Sequence, residues 1–325
     1  MIDVLAFGDI VLDLIVPIEH FPIKEEDVQI AQYIKREAGG VCNFLIAASK
    51  LGLKAGIIGC IGDDENGRFI RDLLDKEGID VTGINLMKGE KTAIVLVLVD
   101  KDGKHAFIGV HGVGIELCQS IDKIKSSKAI YTSGHTLIRS PSLDLTLEVM
   151  KKASNLRIPV FFDPGPLVDK IQPNILNDAL ANTDTLLLNS IEAEALTKTH
   201  RLKEASKILL KKGVKTAVIK LGANGCFIAQ EDFSIHLPSF EVPVIDTTGA
   251  GDSFNAAYVY GYLKQLPINH IGIVANAFGA LKVTKLGGGT QVPSRKELVN
   301  FLKEQKSIAI SIDQLLEHLN EGYQR

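Results

Sequence analysis

The pattern of hydrophobic and polar residues changes near residue 120 of the chain. Beyond it, short apolar segments alternate with amphipathic segments whose apolar residues recur with the period of a helix. Short buried strands separated by helices indicate βαβ units and a parallel sheet. Because crossovers in such sheets are right-handed, the loops after the carboxyl ends of the strands share one edge, where ligands bind. We predict strands at 129–132, 160–162, 185–188 and 216–220, and helices that include 143–153 and 203–212.

Two segments before residue 120, 13–35 and 92–110, are rich in β-forming residues and interrupt this alternation. Within the second, Asp102 and Gly103 form a pair typical of a tight hairpin turn. We interpret the two segments as a small sheet added to the α/β core, and that sheet as a lid. No linker rich in Pro, Gly or Ser divides the chain, so we expect one domain over residues 1–325. The other elements predicted here are a strand at 4–7, a helix at 43–51 and a buried strand at 55–61.

The composition argues against several classes of partner. The chain has 325 residues, of which 46% are hydrophobic and 23% charged, as in ordinary globular proteins. Its 36 Lys and Arg against 39 Asp and Glu give a net charge of -3, so no basic excess favours nucleic acid. No apolar segment approaches the ~18 residues of a membrane helix. The N-terminal segment also lacks the basic region of a secretory signal. We therefore expect neither a nucleic acid nor a membrane partner.

The cysteines and histidines show no metal-binding spacing, because no pair or cluster of them occurs close together. We interpret the cysteines as reduced thiols of a cytoplasmic protein. The chain also lacks a Walker A sequence and the Gly-x-Ser-x-Gly sequence of many hydrolases. The four cysteines are Cys42, Cys60, Cys118 and Cys226.

The segment 244–254, Val-Ile-Asp-Thr-Thr-Gly-Ala-Gly-Asp-Ser-Phe, carries the strongest chemical signal. Small residues at 249–251 let the backbone approach a ligand closely, and their amides at a helix N-terminus suit an anion. Asp252 is then placed to take a proton from an attacking hydroxyl. The alternative is a plain glycine-rich turn with Asp252 as a helix N-cap. A second carboxylate, Asp246, and the β-to-helix position of the turn favour a phosphate site.

This segment resembles the C-terminal signature of the ribokinase-like (PfkB) family of sugar and nucleoside kinases. A second signature agrees with it, formed by Ala-Gly-Gly-Val-Cys-Asn at 38–43 and Gly-Cys-Ile-Gly-Asp-Asp-Glu-Asn-Gly at 59–67. The resemblance extends from Gly8 to about Leu302. It implies an α/β fold with a three-layer core, a mostly parallel central sheet and a small β-sheet lid.

The resemblance also implies roles for individual residues. Asp252 corresponds to the catalytic base that deprotonates the acceptor hydroxyl. The anion hole over the transferred phosphoryl group corresponds to the amides of Gly249, Ala250 and Gly251. The positions that hold the hydroxyls of the acceptor correspond to Asp13, Gly39, Gly40 and Asn43.

Two cation sites follow from the same resemblance. Asn189 and Glu192, in Leu-Asn-Ser-Ile-Glu, match an element that organises Mg²⁺ and its waters near the phosphates. Asp246 and Thr248, with backbone from about 283 to 288, resemble a monovalent cation site. We therefore expect Mg²⁺ to be required and K⁺ to activate.

The nucleotide, expected to be ATP, is assigned to a loop that follows a core strand. Lys220, Gly222 and Gly225 match that loop, and Asn276 lies where the adenine pocket is expected. Phosphoryl transfer depends mostly on positioning and on neutralising the charge of the equatorial oxygens, which backbone amides and Mg²⁺ supply.

Several of these residues also have structural interpretations. Taken alone, Asp13 suits a turn, Asn43 a helix N-cap and Glu192 an exposed helix position. Their spacing relative to the two signatures favours the functional roles.

The acceptor is where the chain departs from the family's patterns. Ribose kinases carry an Asn near the end of the segment matching 108–115, where this chain has Ile115. They carry a carboxylate near 138–141, where Arg139 occurs; the alternative for Arg139 is a solvated helix-start residue. The segment 162–167 lacks the Asn and Arg of ketodeoxygluconate kinases. The sequence therefore predicts an ATP-dependent kinase that phosphorylates a hydroxymethyl group of a small sugar, and it does not name the sugar.

Two other functions remain open. The first is a nucleoside kinase of the same family, for which Phe21, Tyr33 and Phe107 are the candidate base-stacking residues. The second is a non-catalytic sugar-binding regulator, which would have no use for a base at Asp252.

The apolar segment 92–99 also suggests an assembly, because an uncovered apolar strand is a liability. We expect its sheet to pack on that of a second chain in a two-fold homodimer, with Val97 facing the partner. The alternative is a monomer whose lid is covered by its own C-terminal tail, through Ile308, Ile312, Leu315, Leu316 and Leu319.

Overall fold

Two β-sheets organise the chain in a computed structural model, which describes residues 1–115 and 120–305. In these residues the strands are β1 (Val4–Phe7), β2 (Ile10–Pro17), β3 (Lys35–Gly40), β4 (Ala55–Gly62), β5 (Asp80–Met87), β6 (Ala93–Val99), β7 (His105–Val110), β8 (Ile130–Ser133), β9 (Val160–Asp163), β10 (Thr185–Asn189), β11 (Thr216–Lys220), β12 (Cys226–Gln230) and β13 (Phe233–Leu237). The helices are α1 (Val41–Lys50), α2 (Glu65–Lys76), α3 (Ser142–Asn155), α4 (Pro173–Ala181), α5 (Ser190–Thr197), α6 (Leu202–Lys211), α7 (Ala250–Leu263), α8 (Ile268–Val283) and α9 (Arg295–Glu304).

The larger sheet has nine strands in the order β13-β12-β11-β10-β9-β8-β1-β4-β5. All neighbouring strands from β5 to β11 in this order are parallel. The pairs β11–β12 and β12–β13 are antiparallel. The strands predicted from the apolar segments are confirmed, with ends that differ by a residue or two. Because β8, β9, β10 and β11 run parallel, their carboxyl ends meet at one edge of the sheet.

Helices cover both faces of this sheet, which confirms the layered α/β fold. Successive residues of a strand point to opposite faces, and in β1 the side chains alternate between two hydrophobic clusters. Val4 and Ala6 pack with residues of α1, α7 and α8, whereas Leu5 and Phe7 pack with residues of α3, α4 and α6. The site residues therefore lie on a rigid core.

The smaller sheet has four strands in the order β3-β2-β6-β7. It confirms the predicted small sheet, and the Asp102-Gly103 turn joins β6 to β7 with a φ of 75° at Gly103. The expected boundary 13–35 is corrected, because β2 begins at Ile10 and β3 ends at Gly40. Residues 18–34 connect these two strands and form no strand themselves.

Val97 of β6 does not face outwards as the sequence suggested. It is 1% exposed and packs with Ile15 and Val99 of the same sheet. The exposed apolar residues are instead Phe107, Ile108 and Val110 of the edge strand β7. The C-terminal tail invoked for a monomer, and Cys118, lie outside the residues that the structure describes.

Candidate active site

The turn before α7 has the geometry expected of an anion site. Gly249 is the N-cap of α7 with a φ of 73°, a conformation that favours glycine. The amide of Ala250 donates to the carbonyl oxygen of Thr247 at 3.1 Å, so one of the three expected amides is already paired. Gly251 lies in the first turn of the helix, where amides have no acceptor within the helix. Gly249 and Gly251 therefore offer the amides for an anion.

Asp252 follows directly in the first turn of α7 and is half-buried. Burial, together with the negative charge of Asp163, raises the pKa of Asp252 to about 7, and the charge of Lys220 opposes the rise. A base whose pKa lies near neutral pH is well matched to accepting a proton from a hydroxyl. Asp252 is not an N-cap, because Gly249 holds that position.

A polar network lies behind Asp252. The Lys220 ammonium binds Asp163 Oδ2 at 2.9 Å and Asn255 Oδ1 at 3.1 Å. Asn255 Nδ2 donates to Asp163 Oδ2 at 2.6 Å and to the hydroxyl oxygen of Tyr131 at 3.2 Å. The positive charge of Lys220 is thus held beneath the turn: its Nζ lies 3.6 Å from the position that a Cβ of Gly251 would occupy.

This network changes the expected role of Lys220 and adds residues that the sequence analysis missed. The side chain of Lys220 pairs with β9 and α7 instead of extending along the 222–225 loop. Asp163 and Lys220 lie at the carboxyl ends of β9 and β11, and Asn255 lies three residues after Asp252. These positions in the sequence could have indicated that the three residues belong to the site. Asp163, Asn255 and Tyr131 were not predicted.

The acceptor end of the site is built on β2, β3 and α1. Asn43 hydrogen-bonds to the Asp13 carboxylate and accepts the amide of Gly289 at 2.8 Å. A Cβ at Gly39 would overlap the Asp13 carboxylate, and one at Gly40, whose φ is 64°, would overlap the carbonyl oxygen of Asp9. The two glycines are therefore needed for Asp13 and the backbone to pack here. Asn43 lies inside α1, whose N-cap is Gly40, so the N-cap interpretation of Asn43 is wrong.

Asp13 and Asp252 act on each other electrostatically. Burial, then the charge of Asp252, raises the pKa of Asp13 to about 7, while the hydrogen bond from Asn43 opposes the rise. Neighbouring carboxyl groups whose pKa values are both raised are a frequent feature of catalytic sites. The structure therefore brings the predicted base and a predicted acceptor-binding residue together.

Glu192 and Asn189 form a reciprocal cap at the start of α5. Glu192 accepts the amide of Asn189 and its side-chain Nδ2, each at 2.8 Å, and its own amide donates to Asn189 Oδ1 at 2.9 Å. Burial, then the charge of Asp163, raises the pKa of Glu192, and Lys220 opposes the rise. Glu192 is 6% exposed, so the exposed-helix interpretation is wrong.

The donor set at Glu192 suits a hydrated magnesium ion. Each Glu192 oxygen keeps a free lone-pair direction for a water molecule, and Mg²⁺ commonly retains waters and binds substrate phosphates. No cluster of three or more His, Cys, Asp or Glu that could hold a metal by itself occurs in residues 1–115 and 120–305.

The residues assigned to the nucleotide are placed differently from expectation. Gly222 and Gly225 have φ values of 58° and 85° and frame a tight turn after β11. Asn276 is 4% exposed and donates to the carbonyl oxygens of Leu237 and Pro238 at 3.1 and 3.0 Å. Its Nδ2 thus holds the end of β13, and the placement of Asn276 at an adenine pocket stays a prediction.

Asp246 links the turn before α7 to the loop after α8. Its Oδ1 accepts the amide of Thr248 at 2.8 Å and its Oδ2 accepts the amide of Gly287 at 2.6 Å. The ammonium of the buried Lys282 lies in the same region and donates to the carbonyl oxygen of Lys285 at 3.1 Å. A potassium ion does not fit beside this ammonium, because the ammonium already binds the carbonyl oxygen of Lys285.

The structure also shows where the residues lie that depart from the family's acceptor patterns. Ile115 is 1% exposed in the core, and its amide donates to Ser142 Oγ at 2.8 Å, so it offers no polar side chain to an acceptor. Arg139 is exposed but close enough to lower the pKa of Asp9, which burial raises. Tyr33 and Phe107 are exposed.

Comparison with known proteins places this site in a family. The model of the pfkB family carbohydrate kinases matches residues 1–295. The chain is 29% identical over 309 residues to a ribokinase of Haemophilus influenzae, covering 92% of this chain and 97% of that one. It is 28% identical to probable fructokinase-2 of Arabidopsis thaliana, with 93% and 96% covered. A solved ribokinase of Thermotoga maritima superposes with a TM-score of 0.80 at 26% identity, with 94% and 100% covered.

The chain therefore belongs to the pfkB family of carbohydrate kinases. Its enzyme class is that of an ATP-dependent sugar kinase. Among the described residues, no helix has the length and apolar character needed to cross a membrane. Cys42, Cys60 and Cys226 are buried.

Proposed function

We propose that this chain, acting as one kinase domain, transfers the γ-phosphoryl group of ATP to a hydroxymethyl group of a small sugar. The observation that carries the proposal is Asp252, a carboxylate with a pKa raised to about 7 beside the amides of the first turn of α7. A protein that only binds sugar has no need of such a base.

In the proposed reaction, Asp13 and Asn43 hold the sugar hydroxyls, and Asp252 accepts the proton of the attacking hydroxymethyl oxygen. That oxygen forms the new bond to the γ-phosphorus as the bond to the bridging oxygen of ADP breaks. The amides of Gly249 and Gly251 and the charge of Lys220 stabilise the negative charge of the transferred group. Asn189 and Glu192 would hold a hydrated magnesium ion, which would supply further neutralisation of this charge.

The small sheet is proposed to close over the acceptor and exclude water that would otherwise hydrolyse ATP. Its strand β3 is tied to the core, because the buried Glu37 accepts the amide of Thr290 at 3.1 Å and its hydroxyl at 2.9 Å. β3 therefore forms the fixed side of the lid.

A phosphorylation screen tests the proposal. Pentoses, hexoses, ketoses, sugar phosphates and nucleosides are each incubated with ATP and Mg²⁺, and ADP release and the phosphorylated product are measured. We expect one small sugar to be turned over by the native enzyme and not by Asp252→Asn. Preferred turnover of a nucleoside would support the nucleoside kinase instead. Sugar binding without any turnover would support the regulator.

A further inference from the structure

Lys282 is a buried lysine that the proposed reaction does not use. It is the second-last residue of α8 and is 0% exposed. Its ammonium donates to the carbonyl oxygen of Lys285, and within residues 1–115 and 120–305 it forms no ion pair within 4.0 Å. Burying an ammonium costs several kcal/mol unless charge nearby compensates it. Its position therefore calls for a physical reason.

The reason lies in the charge of Asp246, which is 1% exposed. Burial lowers the pKa of Lys282 to about 8, and Asp246 is the group that opposes this shift. Each buried charge lies within electrostatic range of the other, and the ammonium balances the carboxylate.

The side chain of Lys282 lies next to the turn at Gly249 that precedes α7, here called the catalytic turn. Lys282 Cε is 3.8 Å from the position that a Cβ of Gly249 would occupy. Asp246, which Lys282 balances, fixes the amides of Thr248 and Gly287 and so holds the turn against the loop after α8. The ammonium thus stabilises the backbone that presents the amides of Gly249 and Gly251.

A second cation in the same place is opposed by the charges already present. Lys35 and Lys285 both act to lower the pKa of Lys282, so three ammonium groups share this region. Lys35 Nζ lies 3.6 Å from the position of a Cβ at Gly287 and pairs with Glu37 at 2.8 Å. The carbonyl oxygen of Lys285, a potential cation ligand, already accepts the ammonium of Lys282.

We propose that the ammonium of Lys282 is a permanent, built-in cation that holds the catalytic turn in place, and that this kinase consequently works without a bound monovalent ion. Lys282 is a positioning residue, since it acts through Asp246 and the turn at Gly249. The inference rests on the proposed kinase function, and it reverses the expectation of potassium activation from the sequence.

The test compares the native enzyme with Lys282→Ala, Lys282→Met and the control Lys296→Ala. Lys296 is an exposed lysine of α9, so its alanine variant removes a surface charge and leaves the surroundings of Lys282 unchanged. Turnover is measured in KCl, NaCl and tetramethylammonium chloride at one ionic strength. We expect equal native rates in the three salts. We expect Lys282→Met to lose about 10- to 100-fold in turnover in every salt, as for other supporting residues, and Lys296→Ala to keep the native turnover.

Lys282→Ala removes the ammonium and leaves space, so we expect its rate to recover in KCl and not in tetramethylammonium chloride. Thermal unfolding in the same salts gives a readout that needs no sugar: only Lys282→Ala should gain stability specifically in KCl. That measurement stands even if the screen finds no phosphorylated sugar, so the two proposals fail separately. Faster native turnover in KCl, or K⁺-specific stabilisation of the native chain, would overturn the inference. So would full turnover of a folded Lys282→Met.

Discussion

Lys220 and Asp163 form a part-buried ion pair, with 2.9 Å between Nζ and Oδ2, that connects the carboxyl ends of β11 and β9 directly behind Asp252. The two charges act on Asp252 in opposite directions: Asp163 raises its pKa and Lys220 lowers it. The pair therefore adjusts the proton affinity of the base as well as joining two strands.

Opposite shifts of the pH profile follow from this pair. In Lys220→Met the pKa of Asp252 should rise, which moves the acid limb of kcat/KM to higher pH. In Asp163→Asn it should fall, which moves that limb to lower pH. Measuring kcat/KM against pH reports the free enzyme. Lys220→Met should also lower the stability, because it leaves the part-buried Asp163 without its cationic partner. Shifts in the same direction for both variants would contradict this assignment.

Replacement of the base should separate catalysis from binding. We expect Asp252→Asn to lose about 10³-fold in turnover, within the range for general bases, with little change in nucleotide affinity. Single-turnover rates and nucleotide titration check this. Asp144→Asn, in the first turn of α3, is the control for a surface carboxylate and should keep native rates. A variant that retained a tenth of the native rate would rule out Asp252 as the base.

The raised pKa of Asp252 also predicts a pH-dependent cost in stability. Its folded-state pKa of about 7 exceeds the ordinary value of 3.8, so the folded state prefers the protonated acid. The loss of folding stability caused by Asp252 is absent at a pH below 3.8 and grows as the pH rises from 3.8 to about 7. It is complete above pH 7 or so. Asp252→Asn should therefore melt at a higher temperature than the native chain above neutral pH. The two melting temperatures should converge in acid. Because Asp13 is coupled to Asp252, the native pH profile should show the ionisations of the pair.

Magnesium should be required for turnover, and chelation should abolish it. Glu192→Gln keeps the size of the side chain but replaces one accepting oxygen with a donor, opposite an Asn189 group that itself donates. We expect it to raise the Mg²⁺ concentration needed for half-maximal rate. Glu194→Gln, an exposed neighbour on the same helix, is the matched control. An unchanged magnesium dependence in Glu192→Gln would limit that residue to capping α5.

The edge strand β7 is where we expect two chains to associate. Phe107, Ile108 and Val110 are 57%, 52% and 48% exposed, and an exposed apolar edge strand is a template for a second copy. Light scattering at micromolar concentration should give a dimer, which Ile108→Glu should dissociate and Lys101→Glu should not. A native chain that stays monomeric at high concentration would refute this arrangement.

The sequence by itself determined the elements whose signal is local. The strands at 129–132, 160–162, 185–188 and 216–220 were predictable because a run of apolar residues bounded by turns reports burial directly. The Gly249 turn was equally visible, because a left-handed backbone before a helix selects glycine. The common direction of the strands expected in a parallel sheet then placed the candidate site at one edge.

Tertiary structure alone decided which side chains meet at that edge. Asp163, Lys220 and Asn255 belong to three separate elements, and no local pattern records a contact between them. The side-chain amide of Asn276 donates to the carbonyl oxygens of Leu237 and Pro238. The sequence could not predict these bonds, because it does not show which acceptors a side chain can reach. Lys282 is the residue whose environment differs most from what its sequence position suggests. A lysine at a helix end is normally solvated, and only the packing of α8 against the Asp246 loop makes it a buried counter-charge.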